Sequence, residues 1–333
     1  MSYHWDFFED GVSQSMITDF LNCREKARLA WDIGYRFPEE SQAIIFGSLF
    51  HDCLEVLSLI DSPDKAALNA VNTVYNRQQR LARGTGADSK RLALLSTIKP
   101  VLAAYCKQWG SYLKNRDWVA RELIMITPFD VDPQPTRLRA KIDGIYRDSR
   151  GFLWIMEHKT KSSIDSWFLG AQLAHDFQTR YYSWIALNAL QEGIIPNAKP
   201  SDKFGGVLYN VVKRPTIRQR KKESEAEFYK RLKESIDQDP DKYFHRYECS
   251  ISEDELVEWA DLVLFPTLQE MADWFVSLQQ AKNLGTPDLA PKNYKNTTHC
   301  NNNYGLCKYF LACTTNKTDG FVIAESPFDY QEK

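Results

Sequence analysis

The stretch that most limits how this chain can fold is LRAKIDGIYRDSRGFLWIMEHKTKS, Leu138 to Ser163. It reads as two strands of alternating apolar residues joined by the turn DSRG, with Asp143 on the first strand and Glu157 and Lys159 on the second. In a strand, residues two apart share a face, so Glu157 and Lys159 project together while His158 points away. If Ser149, Arg150 and Gly151 form a three-residue loop, with Gly151 at positive φ, Asp148 pairs with Phe152 and Asp143 falls opposite Glu157. A shorter or longer loop slips the register by one and puts the two carboxylates on opposite faces.

Two carboxylates about 4 Å apart repel by roughly 1 kcal/mol in water and about 4 kcal/mol near a protein surface. A sequence that juxtaposes them needs a cation or a shared proton, and Lys159 neutralises only one of them. Hard oxygen ligands of this kind suit Mg2+ or Mn2+, which keep several waters and bridge to phosphate oxygens. The alternative is a surface hairpin whose charges form ordinary salt bridges, and the rest of the chain has to decide.

At 333 residues and 43% hydrophobic, the chain can bury one large core or two modest ones. A formal net charge of -2 gives no global electrostatic case for nucleic acid, so any such case rests on local basic segments. The N-terminal MSYHWDFFEDG is acidic and lacks the basic and apolar regions of a signal peptide. No apolar run approaches the roughly 18 residues of a membrane span. These features lead to the expectation of a soluble, cytoplasmic protein with no membrane partner. Seven cysteines in such a chain mean metal ligands or buried thiols rather than disulfides. Cys53, Cys106 and Cys249 sit singly in apolar surroundings, whereas Cys300, Cys307 and Cys313 crowd the C-terminus.

Along the chain, a helix capped at Ser13 or Ser15 is expected to run to about Tyr35, carrying Cys23. A second, Gln42 to Ile60, places His51 one turn after Gly47 and Glu55 one turn further on the same face. Taken alone, a polar His on an apolar helix is more often a satisfied core residue than a ligand. Two more helices, Pro63 to Arg83 and Ser89 to Asn115, flank a flexible loop RGTGAD. The sheet opens with RELIMITPFDV and continues through the hairpin. A long helix from about Asp165 to Gln191 follows, with Phe177, Tyr181, Trp184 and Ile185 as its core stripe and Gln178 and Tyr182 beside it. A return strand GGVLYNVV completes a β-β-β-α-β order. The most basic segment comes next: Lys213, Arg214, Arg218, Arg220, Lys221 and Lys222 are either a solvated face or phosphate contacts. A strand YFHRYECSI, a helix from Ser252 to Gln280 and a coil ending in the cysteines close the chain.

The order His51, Glu122, Asp143, Glu157-x-Lys159, Gln178-x-x-x-Tyr182 resembles the PD-(D/E)XK nuclease superfamily, in its RecB-like exonuclease branch. The flanking cysteines look like the iron-sulfur form of that branch, of the AddB and CRISPR-adaptation exonuclease type. The resemblance implies an α/β restriction-endonuclease-like core, a central mixed sheet in β-β-β-α-β order with helical regions at both ends. It implies metal ligation by His51, Asp143, Glu157 and the backbone carbonyl of His158. Lys159 corresponds to the lysine that orients or activates the attacking water, Gln178 and Tyr182 to a DNA-positioning motif, and Glu122 to an acid that often opens the core. The implied chemistry is Mg2+- or Mn2+-dependent hydrolysis of DNA phosphodiester bonds.

By the same resemblance Cys23, Cys300, Cys307 and Cys313 would hold a 4Fe-4S cluster that staples distant parts of the chain. The six residues NNNYGL between Cys300 and Cys307 exceed the usual two. A four-thiolate Zn2+ site is the alternative, with His299 as a substitute ligand. The expected organisation is an N-terminal helical region (1–118), the nuclease core (119–213), a basic insertion and strand (214–250) and a cysteine-rich C-terminal segment (251–333). VLYNVVKRP and the segments after it also look phage-encoded, which implies a nuclease of recombination, replication or DNA processing in a host cytoplasm. Its expected partners are single- or double-stranded DNA and a recombinase, single-strand-binding protein or helicase. Two other classes remain open at this stage: a DNA-binding or assembly subunit with little activity, and a metal-stapled interaction module.

Overall fold

The structure is a computed structural model describing residues 4–38, 41–58, 63–82, 89–164, 166–290, 292–302 and 305–328. The chain opens with β1 (Val12–Ser13), α1 (Gln14–Asn22), α2 (Arg24–Ala27) and β2 (Tyr35–Arg36). Helices α3 (Gln42–Ser58), α4 (Pro63–Ala82) and α5 (Ser89–Lys114) follow. Strands β3 (Asp117–Phe129), β4 (Thr136–Arg147) and β5 (Phe152–Lys161) lead into α6 (Ser166–Ala174), α7 (Phe177–Gln191) and β6 (Lys203–Lys213). After α8 (Glu225–Gln238) and β7 (Phe244–Cys249), α9 (Glu253–Trp259) joins α10 (Phe265–Asn283) through a π-helical turn, Ala260–Leu264. The small elements β8 (Asn301–Asn302), β9 (Gly305–Leu306), α11 (Phe310–Thr315) and β10 (Val322–Ile323) end the described chain. This is an α/β fold with a central mixed sheet flanked by helices.

The β4–β5 hairpin fixes the middle of the sheet. Gly151 has φ +84°, the Asp148 N–H donates to the Phe152 carbonyl at 2.8 Å, and Arg147 pairs with Leu153. The loop is therefore Ser149–Gly151, the register in which Asp143 lies across from Glu157. The Asp148 carboxylate accepts from the N–H groups of Arg150 (2.8 Å) and Phe152 (2.9 Å), which holds the turn closed.

Beyond Gly144↔Met156 the two strands part. β5 continues alongside β6 in parallel as far as Lys161↔Lys213, while β4 takes β1 as its parallel neighbour at Val12↔Leu138 and Ser13↔Arg139. The opposite edge of β4 is covered along its length by β3, and β7 closes the far side of the sheet against β6. The result is a fork in the sheet, with Asp143 and Glu157 on its two prongs.

Each face of the sheet carries its own core, as alternation in the strands requires. Leu153, Ile155, Val207, Tyr209 and Val211 join α1, α7 and α10 on one face. Trp154, Met156, Leu208 and Val212 join α3, α4, α5 and α8 on the other.

Three segments depart from the expected helices. The first helix breaks at Cys23, whose backbone is extended (φ −169°, ψ 118°), so the cysteine sits in a joint between α1 and α2. The helix expected from Asp165 to Gln191 is two, because Asp176 acts as an N-cap: its carboxylate accepts from the Gln178 N–H at 2.9 Å and starts α7 there. The helix expected from Ser252 is widened at Ala260–Leu264. The RGTGAD loop lies outside the described residues.

Candidate active site

Asp143 sits where β4 loses β5 as a partner, and its Oδ2 accepts from the backbone N–H of His158 at 2.8 Å. The carboxylate thus replaces the missing strand neighbour. Because the N–H and C=O of one strand residue project to the same edge, the His158 carbonyl also faces the fork. From the second core face α3 brings His51, with Nδ1 3.6 Å from Asp143 Oδ1 and its ring 5.8 Å, edge-on, from that of His158. The His158 ring turns away, as alternation predicts, and its Nδ1 lies 2.8 Å from Asn210 Nδ2, which also reaches the Tyr105 hydroxyl at 2.9 Å. With an amide nitrogen as neighbour, that Nδ1 is the unprotonated acceptor. Asn210 was missed in the sequence, although a polar residue inside the apolar run VLYNVV was a readable signal.

Glu157 lies on the α7 side, 6% exposed. Gln178, in the first turn of α7, ties it to Lys159: Nε2 donates to Glu157 Oε1 at 2.7 Å, and Oε1 accepts from Lys159 Nζ. Lys159 Nζ is also 3.6 Å from Glu157 Oε1. Tyr182, one turn after Gln178, is hydrogen-bonded to it. Burial, then the charges of Glu157 and Asp143, push its phenol well above the ordinary value. Glu122 sits on β3 with φ +46°, a left-handed conformation that costs a non-glycine residue on the order of 1 kcal/mol. The neighbouring register pairs, Arg121↔Gly144 and Leu123↔Ile142, put it level with Asp143, and its carboxylate is held by Lys141 at 2.8 Å. Glu122, Asp143 and Glu157 therefore occupy one row across three strands.

The electrostatics separate the acids. Burial pushes Glu157 up to about 8, with the charge of Asp143 adding to the effect. Burial acts on Asp143 too, but the hydrogen bond and charge of His51, followed by His158, outweigh it and hold Asp143 down at about 2. His51 is raised: burial alone would lower it, and Asp143, then Glu157 and Glu122, overcome that. Burial lowers His158 to about 4, so it is neutral.

Among the described residues, no three His, Cys, Asp or Glu side chains already form a closed metal cage. The donors nevertheless fit a hard divalent cation. Such a cation is commonly held by one or two carboxylates together with substrate phosphates, and a buried carboxylate pair with a half-compensated charge gains from one. Asp143, Glu157, the His158 carbonyl and His51 are the groups within reach of the fork.

Cys23, Cys300, Cys307 and Cys313 line one cavity of about 210 Å3 together with His299, Lys26, Lys295 and Lys308. All four are free thiols, drawn together from the α1–α2 joint and the C-terminal coil. Lys213 ends β6, and the Arg214 N–H donates to the Lys161 carbonyl at 2.7 Å. Arg218, Arg220, Lys221 and Lys222 are exposed, next to the Arg231–Glu223 ion pair (2.6 Å).

A family model of the PD-(D/E)XK nuclease superfamily matches residues 11–309. The chain belongs to that superfamily. Its members are in general metal-dependent nucleases, commonly using Mg2+ or Mn2+, with DNA as substrate. No curated protein matches the chain. Among solved structures, that of SSO0001 aligns with 74% of this chain and 85% of its own at 16% identity and a TM-score of 0.26, too slight a likeness to support an argument. Among the described residues no helix is long and apolar enough to cross a membrane.

Proposed function

We propose that this PD-(D/E)XK protein is a Mg2+- or Mn2+-dependent DNA exonuclease whose active site is the β4–β5 fork. The observation that carries the reading is the Asp143 carboxylate bound to the His158 N–H, with Glu157, Gln178 and Lys159 joined beside it. Asp143, Glu157, the His158 carbonyl and His51 would hold the metal. When bound, it supplies charge on a phosphoryl oxygen and lowers the pKa of a coordinated water.

The side chains of the chain do the rest. Gln178 orients the Lys159 ammonium toward the fork. There it donates hydrogen bonds to the water oxygen that attacks phosphorus, or to the phosphoryl oxygens as negative charge grows on them. The P–O bond to the leaving nucleotide breaks as the new one forms, and the proton given up by the water is returned through solvent to the leaving oxygen. His51, paired with Asp143, holds that carboxylate in its acceptor orientation. Glu122 keeps Lys141 at the edge of the row.

The four cysteines are proposed to hold a 4Fe-4S cluster, with Zn2+ as the alternative. The three lysines lining their cavity offset the negative charge of four thiolates. The cluster would staple the N-terminal region (1–118) and the C-terminal segment (251–333) across the core (119–213) and the basic insertion (214–250). The basic residues from Lys213 to Lys222 are assigned to phosphate contacts, and the biological setting to phage or bacterial recombination, replication or DNA processing. The test is anaerobic purification with iron and sulfide assay, then digestion of end-labelled DNA with Mg2+ or Mn2+. Metal-dependent release of mononucleotides or short oligonucleotides from an end supports the proposal. Internal nicking of closed circles would replace exonuclease by endonuclease, and no cleavage of any DNA would end the nuclease reading.

A further inference from the structure

We infer that the cavity at the far end of β5 is a single-strand subsite in which Phe168 stacks on a base while Lys161 and Arg214 hold the adjoining phosphates. The inference rests on the nuclease reading of the fork and adds a substrate preference to it. The cavity measures about 480 Å3 and is lined by Thr160, Lys161, Ser162, Ser163, Phe168 and Arg214, among others. That volume falls in the range of about 300–1,000 Å3 that encloses a small organic ligand. It therefore has room for a nucleotide or two of a single strand.

The fold aligns the cavity with the carboxylates. Glu157, Lys159 and Lys161 alternate along one face of β5, so Lys161 lies about 7 Å beyond Lys159 in the strand direction. On the other side of β5, α3 presents Ala43, Gly47 and His51 at successive turns, a stripe that starts at the cavity and ends beside Asp143. The middle member is a glycine against Thr160: a Cβ there would meet Thr160 Oγ1 at 3.0 Å. The glycine lets α3 pack closely against β5 between the cavity and the acids.

The lining has the chemistry of a nucleotide strand. Phe168 is 58% exposed although the next residue, Leu169, is 4% exposed and anchors α6 in the core. An aromatic face left open beside cations is the arrangement that stacks bases without reading their sequence. Among the described residues neither Lys161 nor Arg214 has a carboxylate partner. Their main chains are tied together at 2.7 Å, and both residues line the same cavity. Ser162 and Ser163 add exposed hydroxyls for phosphate or sugar oxygens.

The experiment measures fluorescence anisotropy of a labelled oligothymidylate and of a blunt duplex of equal length, in EDTA, with cleavage of both in Mn2+ run alongside. Phe168→Ala is expected to weaken oligothymidylate binding roughly ten-fold or more while leaving duplex binding unchanged. Phe168→Tyr should bind as the parent does, and Lys161→Ala with Arg214→Ala should flatten the salt dependence of binding. Unchanged melting temperatures would show that these exposed substitutions leave the fold intact. Phe168→Ala binding the single strand as tightly as the parent overturns the subsite even if the protein cuts DNA, and so does a parent that binds no single strand. Phe168-dependent binding by a parent that cuts nothing sustains the subsite and ends the nuclease reading instead.

Discussion

The carboxylate of Asp143 accepts a 2.8 Å hydrogen bond from the backbone N–H of His158 on the neighbouring strand. The two roles of this acid, closing the fork and supplying negative charge, can be separated. Asn keeps an acceptor oxygen but not the charge; Ala keeps neither. Asp143→Asn keeps the acceptor and gives up only the charge that His51 favours, whereas Asp143→Ala also leaves the His158 N–H without its acceptor and loses about a further 1–3 kcal/mol. Both should cut DNA at least about a hundred-fold more slowly. Calorimetry and end-labelled digestion would read the two effects, and an Asn variant as active as the parent would remove Asp143 from the site.

Gln178 bridges Glu157 and Lys159, accepting from the lysine and donating to the carboxylate, beside their direct 3.6 Å contact. Gln178→Ala is expected to release the ammonium and lower turnover about 10–100-fold, the usual cost of losing an orienting partner. Stability should change little, because Glu157 keeps Lys159 at 3.6 Å. Gln178→Glu should be worse, since it places a third carboxylate beside Asp143 and Glu157. Equal turnover in all three proteins would assign Gln178 to packing alone.

The hairpin was legible because the pleat is a strict constraint: turn length decides which face Asp143 occupies, and Gly151 supplies the positive φ that length requires. Alternation also gave the opposed directions of Glu157 and His158. The fork itself was not legible. It depends on β1, two residues at the start of the chain, taking the edge of β4 that β5 vacates, and so short a strand has no periodicity to read. The break at Cys23 and the start of α7 at Asp176 were hidden for a related reason: an apolar period continues across both, and a single cap or an extended residue interrupts it. Nothing in the sequence singles out Phe168 within the helix expected from Asp165 to Gln191, and only its position beside Lys161 and Arg214 gives it a separate meaning.

The cysteine cavity makes a prediction of its own. Cys307→Ser is expected to lose bound iron or zinc and to lower the melting temperature by several degrees. The α1–α2 joint and the C-terminal coil would then lose the ligands that cross-link residues far apart in sequence. Cys249→Ser, at a buried thiol on β7, should keep the full metal content and serve as the control. Metal content unchanged in Cys307→Ser would take that residue out of the ligand set.

The metal-free protein should lose stability as pH rises, the reverse of the usual carboxylate behaviour. An unfolded Glu titrates near 4.3, whereas burial and the charge of Asp143 bring Glu157 up to about 8 in the fold. Between those values the folded state holds a proton that the unfolded chain has released, so stability declines through this window and the loss is complete above about 8. His51 acts in the same direction: its value is raised in the fold, so its stabilising charge is present at low pH and lost as pH climbs through that value. Asp143, held at about 2, works the other way but only below pH 4, where protonation removes its contribution. Melting in EDTA should therefore be higher at pH 5.5 than at pH 8. Glu157→Gln should flatten that slope, because an amide has no proton to give up. Mg2+ at pH 8 should restore much of the loss, since binding to the folded state alone stabilises it by mass action. A pH 8 melting temperature in EDTA equal to that at pH 5.5 would mean that Glu157 is already ionised in the fold, with Lys159 and Gln178 compensating its charge in full.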